Sequence, residues 1–124
     1  MPGDFRQYGQ LGESLAVRHL KKNGYRILAR NYRNRFGEID IIARQGESLV
    51  FVEVKARASK NYGPSKAAVD RAKQKKISMV ALGYLKQTRN TSAKARFDVV
   101  CVDAGTEHQP RVEIIPNAFP LVYG

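Results

Sequence analysis

Residues Ser48–Arg57 (SLVFVEVKAR) constrain the fold more than any other stretch of the chain. Alternation along an extended strand turns Val50, Val52, Val54 and Ala56 to one face and Phe51, Glu53, Lys55 and Arg57 to the other. Two further strand-like runs precede it, Tyr25–Tyr32 and Gly37–Ala43 (GEIDIIA). The loop Arg33–Phe36 and the turn Arg44–Glu47 join the three. Connections this short and polar favour an antiparallel meander.

Helical patterns flank the meander. The first is expected over Phe5–Asn23, with Gly24 in the stopping position. At about 100° per residue, Leu11 and Leu15 fall together, with Ala16, Val17 and Leu20 on an adjoining arc. Glu13 lands inside that apolar arc, where a carboxylate without a partner is costly to bury. After the loop Ala58–Ser65 a second helix is expected over Lys66–Gln87. Its apolar stripe holds Val69, Ile77, Val80, Ala81, Tyr84 and Leu85, and Lys73 sits within it. Strands at Ala95–Asp103 and Arg111–Ile115 complete an order α-β-β-β-α-β-(β). That order describes an α/β fold, a central mixed sheet with helices packed on it, in one domain spanning residues 1–124.

Charge then narrows the partner. Lys and Arg number 22 against 11 Asp and Glu, and residues 1–97 hold 21 of the basic groups but only 7 of the acidic ones. A body so basic favours a polyanion, nucleic acid first among them, but does not separate a binding module from a nuclease. The one cysteine, Cys101, sits in the apolar run Val99–Val102 and reads as a buried structural thiol. No apolar stretch approaches the roughly 18 residues that span a bilayer. The opening residues Met1–Arg6 carry no apolar signal-peptide region, so no membrane partner is expected and cytoplasm is the expected compartment.

The chemistry concentrates in Asp40, in Glu53-Val54-Lys55 and in the upstream Glu13. Mg²⁺ takes oxygen ligands, commonly one or two carboxylates, and keeps its remaining positions for water and phosphate. Asp40 and Glu53 lie on neighbouring strands of the meander, and Lys55 points the same way as Glu53. A lysine there can orient an attacking water or stabilise the charge that develops on a phosphorane. Two carboxylates and a lysine on one sheet face thus make a workable phosphodiesterase site. From spacing alone, a cross-strand salt bridge on a solvated face is an equal alternative.

Several stretches resemble the bacterial YraN-like family: Gly12-Glu13 with Ala16, Asn23–Arg33, Gly37–Ala43 and Leu49–Arg57. Lys73 with Ile77, Tyr84-Leu85 and Arg96–Val100 extend the resemblance, which covers about Gly9 to Phe119. That family looks like a branch of the PD-(D/E)xK nuclease superfamily, close to archaeal Holliday-junction resolvases. The resemblance implies a restriction-endonuclease-like fold with an αβββαβ core, in agreement with the order read from the residues. It also implies a metal-dependent endonuclease acting on DNA, branched or structured DNA included. The superfamily's first metal-binding acid falls on Asp40, its second on Glu53, its lysine on Lys55, and the resolvase-type helix carboxylate on Glu13. Ile39 stands where a proline often precedes the first acid. The cofactor implied is Mg²⁺ or Mn²⁺. A non-catalytic nucleic-acid-binding protein and an RNA-directed nuclease are the alternatives.

Around these acids, Arg33, Arg35, Arg57, Lys60, Lys66, Arg71, Lys75 and Lys76 form a basic girdle suited to phosphate. Lys73 either reaches the scissile phosphate or packs its stem on the core with its head in water. Glu38 reads as a surface carboxylate or a partner for Arg57, with an extra metal ligand as the alternative. Arg96 and Asp98 read as a structural ion pair, and Tyr62 as a loop tyrosine with base stacking as the alternative. His19 and His108 lack ligand spacing, which argues against zinc. A two-fold junction would suit a dimer, but no stretch identifies an interface.

Overall fold

The computed structural model describes residues 5–57, 69–90, 93–103 and 111–121, with residues 5–10 and 57 as backbone only. Helix α1 (Phe5–Lys22) leads into strands β1 (Arg26–Asn34), β2 (Gly37–Gln45) and β3 (Ser48–Arg57). Helix α2 (Arg71–Gln87) then precedes β4 (Lys94–Asp103) and β5 (Arg111–Phe119). The five strands form one sheet in sequence order. β1, β2 and β3 are the expected antiparallel meander, β4 runs parallel to β3, and β5 returns antiparallel. A parallel neighbour needs a crossover, and α2 lies within the β3–β4 connection. This mixed sheet with two helices agrees with the restriction-endonuclease-like core.

Alternation divides the core into two clusters, one on each side of the sheet. Val50 and Val52 of β3 and Val100 and Val102 of β4 pack with Ala16, Val17 and Leu20 of α1. Phe51, Phe97 and Val99 pack with Ile77, Val80, Ala81 and Leu85 of α2. Helix α1 sits close because it carries Gly12, where a Cβ would come within 2.7 Å of the Ala56 Cβ. Helix α1 ends where Gly24 adopts φ +86°, the left-handed conformation that suits glycine. Cys101 is buried, as expected.

The expectations depart from the structure at several boundaries. Leu11 is 57% exposed rather than buried, so the buried stripe of α1 rests on Ala16, Val17 and Leu20. Helix α2 begins at Arg71, not Lys66: Asp70 is extended (φ −78°, ψ 172°) and its carboxylate accepts from the Lys73 N–H as an N-cap. β5 runs on to Phe119, past the bend at Pro116 and Asn117 (φ 51°). There the Asn117 N–H donates to Asp98 at 2.9 Å across an irregularity in the β4–β5 ladder. Proline is tolerated in β5 because it is an edge strand. Lys60, Tyr62, Lys66 and His108 lie outside the described residues.

Candidate functional site

The ladder between β2 and β3 ends at the pair Ile41–Val52. The next residues are Asp40 and Glu53, so the two acids face one another where the strands part. Asp40 takes over from the ladder, its Oδ2 accepting the Val54 N–H at 2.8 Å. This contact fixes the carboxylate against the backbone of the strand that carries Glu53. The Asp40 and Glu53 charges also act on each other across this gap. Burial is the largest influence on both, since it disfavours the charged form, and it pushes both above the ordinary carboxylate range. Glu53 is pushed from 4.5 to about 7 by burial and then by the neighbouring Asp40 charge. Asp40 is raised by burial, against the opposing pull of the Val54 hydrogen bond.

Two ammonium groups answer this pair. Lys55 Nζ lies 3.8 Å from Glu53 Oε2, and Lys73 Nζ lies 3.7 Å from the same oxygen. They come from different elements, strand β3 and the first turn of α2. The Glu53 side chain is only 9% exposed, whereas Lys73 keeps 44% of its side chain in solvent. The site is therefore a buried Glu53 beside a half-buried Asp40, opening onto two cations. Lys73 belongs to this constellation, and its position within the apolar stripe of α2 is the sequence signal that marks it. Nothing in the sequence flags the Val54 N–H, because a backbone donor leaves no trace in residue identity.

Glu13 is held by β1 instead. Its Oε1 accepts from Asn31 Nδ2 at 3.0 Å and pairs with Arg30 at 3.4 Å. Asn31 (φ 53°) adopts the left-handed conformation that asparagine tolerates. The side chain of Glu13 is 14% exposed, so the acid on the apolar arc has found the partners its burial demands. Among the described residues no group of three or more His, Cys, Asp or Glu side chains converges as a metal site. Glu38 pairs with Arg33, at 2.7 and 3.2 Å, and the side chain of its other expected partner, Arg57, lies outside the described residues.

Of the basic girdle, Arg33 is thus engaged by Glu38, and the Arg35 guanidinium lies 4.9 Å from the centre of the Phe36 ring. Arg57 ends β3, while Arg71, Lys75 and Lys76 are exposed on α2.

On the other face of the sheet Asp98 is fully buried and forms the expected ion pair with Arg96, at 3.0 Å. Tyr25 donates to its other oxygen at 2.7 Å, and Arg96 also reaches the Tyr25 hydroxyl and Gln45. Burial, followed by the Asp98 hydrogen bond, pushes the Tyr25 hydroxyl up to about 12. Both Asp98 oxygens are occupied within the protein, so the cluster ties α1's exit to β2, β4 and β5. Among the described residues no helix is long and apolar enough to cross a membrane.

Comparison with known proteins gives a consistent family. A model described as "Uncharacterised protein family UPF0102" matches residues 12–102. A UPF0102 protein of Geobacter metallireducens is 50% identical over 118 residues, covering 95% of this chain and 96% of that protein. One of Syntrophus aciditrophicus is 53% identical over 116 residues, covering 94% and 91%. Among solved structures, Pyrococcus furiosus SfsA in complex with Ca²⁺ aligns with a TM-score of 0.42 at 14% identity. That alignment covers 91% of this chain but 64% of the SfsA chain, and a likeness so distant fixes neither site nor function.

Proposed function

The chain belongs to the UPF0102 family, and we propose that it is a divalent-cation-dependent phosphodiesterase of the PD-(D/E)xK type acting on DNA. Branched or structured DNA is the favoured substrate, by the resemblance to junction resolvases. One observation carries the reading: Glu53 is buried beside the half-buried Asp40, and the Lys55 and Lys73 ammonium groups lie 3.8 and 3.7 Å from the Glu53 carboxylate. A pair of acids kept above their ordinary range stores an unfavourable charge that a cation would relieve.

The donor set suits Mg²⁺ or Mn²⁺, which need only one or two carboxylates and complete their shells with water and phosphate oxygen. It does not suit zinc, which prefers cysteine and histidine. Asp40 and Glu53 would hold the cation, which when bound supplies a Lewis acid to the phosphoryl oxygen. The Val54 N–H keeps Asp40 in place for that role. Lys55, anchored on the same strand as Glu53, orients the attacking water and balances negative charge developing on the phosphorane oxygens. Lys73 contacts the phosphate backbone from the rim of the site. Glu13 serves as a third acid only by exchanging Arg30 and Asn31 for the cation. Hydrolysis is then an in-line displacement with water as the nucleophile.

The test is cleavage of supercoiled plasmid and of a four-way junction with Mn²⁺, comparing wild type with Asp40→Ala and Lys55→Ala. The expected result is wild-type cleavage that both variants lose. Equal cleavage by the variants, or none by wild type on DNA or RNA, removes the enzyme and leaves a binding protein.

A further inference from the structure

The carboxylate pair occupies one end of a sheet face whose other end carries an arrangement that catalysis does not require. Arg26 of β1 and Arg44 of β2 are direct cross-strand partners. Such partners hold their Cβ atoms about 4.5–5.5 Å apart on one face, and like charges so placed are destabilising. Among the described residues neither guanidinium has an ion-pair partner. Ala43 and Ile27, their chain neighbours, pack on the α1 side, so alternation turns both arginines to the α2 side. Ile42, two residues before Arg44, packs in the cluster beneath α2.

Helix α2 repeats the pattern. It carries Arg71, Lys73, Lys75, Lys76 and Lys86 and no acidic residue. Lys86, in the last turn, complements the helix dipole. Arg71 and Lys73 stand in its first turn, where the positive end of that dipole opposes them, and Lys75 and Lys76 follow in the second with no acidic residue on the helix to offset them. Local helix electrostatics therefore does not account for them. Two unfavourable groupings of positive charge share one side of the sheet, and a polyanion lying across that side would relieve both.

We propose that the α2 side binds the phosphate backbone of a DNA duplex, with a track that begins at Lys73 and is anchored at its far end by Arg26 and Arg44. Asp40 and Arg44 stand four residues apart, about 13 Å of strand. The 17-residue α2 covers about 25 Å, close to seven base pairs of duplex. The proposal takes its ligand from the nucleic-acid reading above and extends the contact to residues that touch neither carboxylate.

The experiment is anisotropy of a labelled duplex of about three helical turns, in EDTA and across a salt series. It compares wild type, Arg26→Ala/Arg44→Ala, and Arg18→Ala/Lys22→Ala, which removes equal charge from α1. Loss of two phosphate contacts lowers the log–log salt slope of the first variant by about 1.8. Raising salt from about 50 to 200 mM then costs wild type about 12-fold more affinity than it costs that variant. The α1 variant keeps the wild-type slope. The melting temperature of Arg26→Ala/Arg44→Ala equals or exceeds that of wild type, because a like-charge contact has gone. An unchanged slope, an equal effect of the α1 variant, a lowered melting temperature, or no duplex binding by wild type overturns the proposal. Binding with these slopes but no cleavage removes the phosphodiesterase and leaves this surface standing.

Discussion

Replacing Glu53 with Gln should change how stability depends on pH before any substrate is added. The Glu53 carboxyl ordinarily titrates at 4.5 and in the folded protein is pushed up to about 7 by burial and by Asp40. Between those two values the unfolded chain has released its proton and the folded chain still holds it. Folding thus binds the proton, and stability falls as pH rises through this window. At 1.36 kcal/mol per tenfold change in acidity, the full cost above pH 7 is at most about 3 kcal/mol. The assay is urea unfolding in metal-free buffer at intervals from about pH 4.5 to 8, for wild type and Glu53→Gln. Titrations of the other groups are common to both proteins, so the difference isolates Glu53 and the coupling of Asp40 to it. Wild type should lose up to about 3 kcal/mol relative to the variant across the window. Added Mn²⁺ at high pH should restore wild type and not Glu53→Gln, because a ligand that binds only the folded state stabilises it. A difference that stays flat with pH would refute the account of a charge-strained acid pair.

Two further outcomes follow from packing. Asp98→Ala removes the acceptor for Arg96, Tyr25 and the Asn117 N–H, and should cost about 3–5 kcal/mol in urea unfolding while Mn²⁺ heats at the acid pair on the opposite face of the sheet persist. Gly12→Ala places a Cβ 2.7 Å from that of Ala56, so α1 must shift off β3, and thermal unfolding should show a loss of about 1–3 kcal/mol.

The strand order was legible because it follows from alternation and from short connections. Ser48–Arg57 coincides with β3, and its two faces are those of Phe51 and Val50. Boundaries were less legible where a side chain pairs with backbone: Asp70 caps α2 and starts it at Arg71, and the Asn117 N–H donates to Asp98 where Pro116 would otherwise end the strand. Burial of Leu11 was misjudged because a helical wheel shows which residues share a face, but not where along its length the helix meets the sheet. The approach of Asp40 to Glu53 was readable, being a matter of hairpin register. The partners of Glu13 and Glu38 were not, since the first depend on the left-handed turn at Asn31 and the second on β1 running past Tyr32 to set Arg33 opposite Glu38. Tyr25 and Asp98 lie 73 residues apart, and no local pattern connects them.

The central claim is that Asp40 and Glu53 are the donors of one cation site, and calorimetric titration of Mn²⁺ tests it without any assumption about substrate. Wild type should give a saturable heat that an exposed-acid control, Glu47→Ala, retains. Asp40→Ala and Glu53→Ala should each weaken binding by about 100-fold or more, at or beyond the effect of losing an outer-shell partner. Equal Mn²⁺ affinity in wild type and in both variants would contradict the claim.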